Sequence, residues 1–119
     1  MNLEHFTLDE FDSPDLEGSS SNMDTSFLEM LDEARDIANI SFIINSGYRT
    51  EAHNEKVGGK KNSSHLFGLA VDIKCKDSRS RFIIFNSLML AGFHRIGMGK
   101  TFIHVDNDKT KDPDVIWVY

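Results

Sequence analysis

Apolar residues recur at helical spacing in two segments of the 119-residue chain. The first segment follows capping residues at 24–26 and places its apolar side chains at Phe27, Leu28, Leu31, Ala34, Ile37 and Ala38. The second opens at Ser78 or Ser80, is stopped by Gly92, and places them at Phe82, Ile83, Phe85, Leu88, Met89 and Leu90. Because residues three or four apart share one side of a helix, both patterns predict helices with one buried face.

Shorter apolar runs, several of them alternating with polar residues, predict β-strands. These runs occupy residues 41–46, 69–75, 95–98, 102–106 and 115–119. Residues 49–64 are polar and contain Gly58 and Gly59, which indicates a loop with one short helix at 50–57. The order of elements predicts an α+β fold, in which two main helices pack on a small, mainly antiparallel sheet.

The first 26 residues differ in composition from the rest of the chain. They are acidic and end in a turn-rich run at 18–22, which we expect to be flexible. Four apolar side chains can still pin this segment onto the domain: Leu3, Phe6, Leu8 and Phe11. We therefore divide the chain into an acidic N-terminal arm, residues 1–26, and one domain, residues 27–119.

The overall charge excludes several classes of partner. A net charge of −6 argues against binding a polyanion, so we expect neither nucleic acid nor an anionic membrane surface as a partner. No apolar run approaches the roughly 20 residues that span a bilayer, so we expect no membrane insertion.

The N-terminal residues lack the basic and apolar regions of a secretory signal. We expect a monomer made in the cytoplasm without a signal peptide.

Four residues near the predicted strands have side chains that suit a metal site. His65 lies at a loop–strand junction, and Gly68 lets the chain turn so that His65 and Asp72 can converge. Hydrolytic zinc sites commonly use three histidine or carboxylate ligands and leave one position open. His104 and Asp106 share one face of a strand, so Asp106 can orient His104 or act as a base. From spacing alone, a structural histidine is the alternative. The only cysteine, Cys75, excludes a cysteine-based zinc cluster.

Three motifs, in this order, resemble the M15 family of zinc peptidases. They are S-G-Y-R at 46–49, S-x-H-x-x-G-x-A-x-D at 63–72 and x-H-x-D at 103–106. The similarity spans residues 27–119, and the family includes D-Ala-D-Ala carboxypeptidases and phage endolysins. The Hedgehog signalling domain shares this fold and zinc site. The resemblance implies a Hedgehog/DD-peptidase-like fold and hydrolysis of a peptide bond in peptidoglycan stem peptides, of the D-Ala-D-Ala or L-Ala-D-Glu type.

The resemblance also implies roles for individual residues. His65, Asp72 and His104 match the Zn²⁺ ligands of the family. Arg49 matches the cation that holds the substrate carbonyl or the developing oxyanion, a role suited to a fixed positive charge. Ser63 matches the serine that helps hold the substrate backbone.

The sequence departs from the family at the general base. Many members carry Glu or Asp three residues before the last ligand, where this chain has Thr101. We therefore predict Asp106 as the substitute base, with structural support of His104 as the alternative role. Trp117 and Tyr119 are interpreted as sheet packing, although an aromatic residue near the terminus can flank the cleft.

Two functions follow from this reading. The first is a phage or prophage cell-wall hydrolase that reaches its substrate after release from the cell or as a component of the virion. The second is a non-catalytic zinc-binding module of the same fold, acting in binding or assembly. Thr101 at the usual acid position is the feature that favours the second.

Overall fold

The computed structural model describes all 119 residues, and their elements confirm the α+β class. The three α-helices are α1 (Thr25–Ala38), α2 (Glu51–Lys56) and α3 (Ser78–Leu90). The five strands are β1 (Ile44–Ser46), β2 (Ala70–Lys74), β3 (Arg95–Met98), β4 (Phe102–Asp106) and β5 (Val115–Val118). Three short 3-10 helices cover Leu8–Phe11, Ser19–Asn22 and Ser64–Phe67. None of the helices is long and apolar enough to cross a bilayer.

The sheet has the strand order β1-β2-β4-β3-β5. All neighbours pair antiparallel except β3 and β5, which are parallel. In this register His104 on the central strand lies opposite Asp72 on β2 and opposite Gly97 on β3, and Gly97 lies opposite Trp117 on β5. Because successive side chains alternate between faces, these polar and aromatic residues share one face, and the apolar residues of the same strands occupy the other.

Helices α1 and α3 pack against each other over the apolar face of the sheet. The Asp24 carboxylate caps α1 by accepting a hydrogen bond from the Phe27 N–H at 2.9 Å. As predicted, α1 buries one face, with Phe27, Leu28, Leu31 and Ala34 in the core. Helix α3 begins at Ser78 with Asp77 as its cap. It leaves Phe82 and Leu90 largely exposed, because its apolar residues surround the helix and only one side meets the core.

The N-terminal residues join the core of the domain. Phe6 and Phe11 are buried, and their rings meet edge to face at 5.2 Å between centroids. The run at 18–22, expected to be flexible, is a 3-10 helix with Ser19 and Ser20 buried. The Asp12 carboxylate holds this run by accepting backbone N–H groups of Gly18 and Ser20, at 3.0 and 2.8 Å. Hydrogen bonds to Asp12 therefore hold this run in one conformation, whereas composition alone predicted a flexible segment.

This N-terminal segment also supports the residues that carry the motifs. The N–H of Tyr48, within the S-G-Y-R motif, donates to the Phe11 carbonyl at 2.9 Å. Gly68 has φ +70°, and a Cβ at this position would lie 2.1 Å from the Asn22 carbonyl oxygen. Glycine is therefore required at 68 both by the backbone conformation and by the close approach of the N-terminal segment.

Candidate active site

A cleft of about 800 Å³ lies over the polar face of the sheet. Its floor contains the candidate metal ligands from β2, β4 and the 3-10 helix before β2. The loop at 57–60 and residues 62–64 form one wall. Phe102, Trp117 and Tyr119 give the cleft an aromatic part of its lining. The topology therefore gathers segments from across the chain around the ligand cluster.

His65, Asp72 and His104 converge in this cleft. Their ligand atoms all lie within 4.8 Å of one another. Oδ1 of Asp72 is 2.9 Å from Nδ1 of His104 and 3.3 Å from Nε2 of His65. Asp72 and His104 meet because they are register partners on neighbouring strands. His65 joins them because the 3-10 helix at Ser64–Phe67, ended by Gly68, turns it back towards β2.

Both histidines have a hydrogen-bond partner on the side away from this cluster. Nδ1 of His65 is 2.8 Å from the Gly47 carbonyl oxygen, and Nε2 of His104 is 2.8 Å from Oδ2 of Asp106. Because both partners accept hydrogen bonds, these nitrogens would carry the protons in a metal-bound protein, which leaves Nε2 of His65 and Nδ1 of His104, the nitrogens beside Asp72, with lone pairs for the metal. Two imidazole nitrogens and one carboxylate oxygen with supported tautomers fit the donor set of a zinc site.

The charges around His104 favour a positive charge in the cluster. Burial alone would raise the pKa of Asp72, but hydrogen bonds with His104 and His65 hold it well below the usual value. Burial opposes a charge on His104, but hydrogen bonds with Asp106 and Asp72 outweigh it and raise the pKa of the imidazole. The two flanking carboxylates thus stabilise either a proton or a metal cation beside His104.

Asp106 lies behind His104 as seen from the cluster. It is 1% exposed, and it contacts Nε2, whereas Nδ1 is the nitrogen that faces Asp72. Its other oxygen, Oδ1, accepts hydrogen bonds from Nε of Arg95 at 2.7 Å and from the Asp108 N–H at 3.1 Å. Although burial raises the pKa of Asp106, the hydrogen bond with His104 lowers it below its ordinary value. This geometry favours the role of orienting His104 over the role of general base.

Arg49 is fixed beside the cluster by three side chains. Its Nε donates to Ser46 Oγ at 3.0 Å, its Nη1 to Asn54 Oδ1 at 3.2 Å, and its Nη2 to Asp72 Oδ2 at 3.4 Å. A guanidinium has five N–H donors, so one remains free on each terminal nitrogen. The side chain is 15% exposed and lines the cleft, which leaves these donors available to a substrate oxygen.

Ser63 and Thr101 occupy different positions relative to the cleft. Ser63 lines it, and its Oγ accepts a hydrogen bond from the His65 N–H at 3.3 Å, so it also caps the 3-10 helix that carries His65. Thr101 is exposed and is not among the residues that line the cleft. Its carbonyl accepts the Cys75 N–H at 2.9 Å, which aligns the end of β2 with β4.

Two contributors to the site were missed in the sequence. Asn54 contacts Arg49 and is buried, although it lies in a short polar segment with no periodicity that would mark it. Arg95 contacts Asp106 from the neighbouring strand, and the pairing register that brings them together is not readable from either strand alone. The aromatic residues near the terminus do flank the cleft: the Trp117 ring lies 5.5 Å from that of His104.

A cleft that combines a three-ligand cluster with a fixed arginine is typical of a metallohydrolase. The family model of Peptidase M15 matches residues 4–106. The chain therefore belongs to the M15 peptidase family, whose members are typically zinc-dependent. The match includes all three motifs and most of the N-terminal segment. A search of curated proteins gives no significant match.

Proposed function

We propose that this chain is a Zn²⁺-dependent peptidase that cleaves a peptide bond in peptidoglycan stem peptides, of the D-Ala-D-Ala or L-Ala-D-Glu type. The observation that carries the proposal is the convergence of His65, Asp72 and His104 beside Arg49 in one cleft. The biological setting that we propose is a phage or prophage cell-wall hydrolase, acting as a monomer. It would reach the wall after release from the cell or as part of the virion.

The charge of the cleft supports an acidic substrate. The chain as a whole has a net charge of −6, yet four cationic side chains line the cleft against two carboxylates. The cations are Arg49, Lys60, Arg95 and Lys111, and the carboxylates are Asp72 and Asp106. A bound metal ion would add further positive charge. Peptidoglycan stem peptides carry free carboxylates, so a cationic cleft in an acidic protein favours them over neutral or basic peptides.

The residues of the cleft suit stabilisation of negative charge on a substrate carbonyl. When bound, Zn²⁺ supplies a Lewis acid that polarises a carbonyl and lowers the pKa of water. Arg49 lines the same cleft with two N–H groups free, and Ser46, Asn54 and Asp72 hold its guanidinium in place. Donors that are fixed before the reaction contribute most where charge develops in the transition state.

One observation favours the alternative function, a non-catalytic zinc-binding module. Asp72 and Asp106 are the only acidic side chains that line the cleft, and both are engaged by histidine and arginine side chains. Burial raises the pKa of Tyr119, so its hydroxyl stays protonated near neutral pH and can donate a hydrogen bond but not act as a base. The cleft therefore offers no free Asp or Glu side chain as a proton acceptor, which is consistent with Thr101 at the usual acid position.

Incubation with purified sacculi, with zinc present, separates the two functions. We expect release of peptides whose masses identify the bond that is cut. His65→Ala should lose most of the zinc, as measured by elemental analysis, and with it the peptide release. His94→Ala is the matched control, since His94 is exposed and lies outside the cleft. A zinc-loaded wild-type protein that releases nothing would instead support the non-catalytic module, and full zinc occupancy in His65→Ala would contradict the ligand assignment.

The role of Arg49 is tested by Arg49→Lys. Lysine keeps the charge but cannot make three separate hydrogen bonds in one plane while two donors face the substrate. We expect turnover to fall by about 10²–10³, the cost of one transition-state contact of this kind. Arg79→Lys, on the exposed start of α3, is the matched control. Turnover of Arg49→Lys close to that of the wild type would remove Arg49 from the mechanism.

A further inference from the structure

Asn54 is the buried residue of an otherwise largely exposed helix. Helix α2 has six residues, and Asn54 alone among them is buried, at 4% exposure. Its side chain makes hydrogen bonds in two directions. Oδ1 accepts from Nη1 of Arg49 at 3.2 Å, and Nδ2 donates to the Lys60 carbonyl at 2.9 Å. Its own backbone carbonyl accepts the Gly59 N–H at 2.8 Å.

The loop at 57–60, which forms one wall of the cleft, packs directly on this amide. A Cβ at Gly59 would lie 2.0 Å from Asn54 Oδ1 and 3.0 Å from Arg49 Nη1. Only a residue without a side chain leaves room for the amide to reach the guanidinium. Asn54 and Gly59 therefore form a matched pair, and the loop cannot move without disturbing the contact to Arg49.

The chemistry of the amide suits this position. Arg49 is already paired with Asp72 through Nη2 at 3.4 Å. A second carboxylate at position 54 would neutralise the guanidinium further, whereas a neutral amide fixes its plane and leaves its charge for the substrate. The same amide supplies the donor that the Lys60 carbonyl requires. A carboxylate has no donor, and a hydroxyl carries its donor and acceptor on one atom, whereas the amide carries them on two.

We propose that Asn54 is a positioning residue that fixes the guanidinium of Arg49 and the loop wall of the cleft as one unit, and thereby sets the rate of peptide hydrolysis. The proposal rests on the proposed function, because Asn54 acts through Arg49. Asn54 touches none of the three candidate ligands, so its effect is separate from metal binding. Small displacements of a catalytic group cost on the order of 10²-fold in rate.

The test is a double-mutant cycle with Asn54→Leu, which keeps the branched shape of the side chain and removes both hydrogen bonds. Peptide release from sacculi is measured at saturating zinc for the wild type, Asn54→Leu, Arg49→Ala and the double variant. We expect Asn54→Leu to lower kcat by about 10–100-fold with KM little changed and zinc content unaltered. In the Arg49→Ala background, Asn54→Leu should lower kcat almost no further, because the guanidinium that Asn54 positions is gone. Asn86→Leu, on the exposed side of α3, is the matched control.

Gly59→Ala provides a second route to the same displacement and serves where Asn54→Leu does not fold. The added methyl group must push the Asn54 amide away from Arg49, so we expect a similar loss in kcat with zinc retained. The proposal would be overturned if the double variant loses kcat by the product of the two single losses. It would also be overturned if Asn54→Leu and Gly59→Ala both keep the kcat of the wild type. A wild-type protein that releases no peptide would contradict the proposed function itself. A fully active Arg49→Ala variant would instead remove Arg49 from the mechanism and overturn the role of Asn54 alone.

Discussion

The substitution Asp106→Asn tests whether this carboxylate orients His104 or acts as a base. It preserves shape but replaces one acceptor oxygen with an NH₂ group. The carboxylate now receives three donors: Nε2–H of His104, Nε–H of Arg95 and the backbone N–H of Asp108. If the amide oxygen stays with Arg95 and Asp108, the NH₂ group faces His104 and favours moving its proton to Nδ1. If the amide flips, NH₂ faces two donors instead.

Both orientations weaken the metal site. A proton on Nδ1 of His104 removes the lone pair that faces Asp72, and a flipped amide leaves Arg95 and the Asp108 N–H without an acceptor. Loss of a carboxylate that supports a ligand histidine costs about 10–100-fold in metal affinity. This corresponds to about 1.4–2.7 kcal/mol. A general base, by contrast, contributes about 10²–10⁴ to turnover.

The assay separates affinity from turnover. Zinc affinity is measured by competition with a chromophoric chelator, and peptide release is measured with zinc in excess. For Asp106→Asn we expect zinc to bind about 10–100-fold more weakly. We also expect substantial activity once zinc saturates the protein. Asp108→Asn is the control, because Asp108 is equally buried but contacts Ser64, Thr110 and Lys111 and no histidine. Unchanged zinc affinity with turnover reduced more than 100-fold would refute this reasoning and make Asp106 the base.

Three further predictions concern the core, the cleft wall and acid stability. Phe11→Ala should lower the free energy of unfolding by about 3–5 kcal/mol in urea titrations, since Phe11 is fully buried; a loss below about 1 kcal/mol would show that the N-terminal segment does not share the core. Gly97→Ala should raise KM and leave zinc content unchanged, because its Cβ would lie 2.6 Å from the Trp117 ring; unchanged KM would contradict this. Although burial raises it, hydrogen bonds from Thr110 and Ser64 lower the pKa of Asp108 to about 2. The folded value lies below the unfolded value of 3.8, so this stabilisation is present above about pH 4 and is lost as the pH falls towards 2. The free energy of unfolding of Asp108→Asn should therefore fall less steeply than that of the wild type over this pH range. An equal slope for the two proteins would contradict the lowered pKa of Asp108.

Local patterns in the sequence were sufficient for the main helices and strands and for the motifs. Helix α1 follows from apolar residues at helical spacing behind the Asp24 cap, and β2 and β4 follow from their alternation. These features depend on interactions between residues a few positions apart, which the sequence displays directly. The motifs at 46–49, 63–72 and 103–106 likewise indicated the M15 family before any contact was known.

Contacts between distant segments were decided by the tertiary structure. The sequence places His104 and Asp106 on one strand face, but it does not say which imidazole nitrogen meets the carboxylate, and that depends on Arg95 from the next strand. Asn54 lies in a polar segment, and it is buried only because the loop at 57–60 folds back over it. The sequence offered Phe11 as one of four apolar side chains that could pin the N-terminal segment, but its full burial depends on packing partners from several elements. Register, side-chain rotamers and packing involve partners tens of residues away, so no local pattern records them.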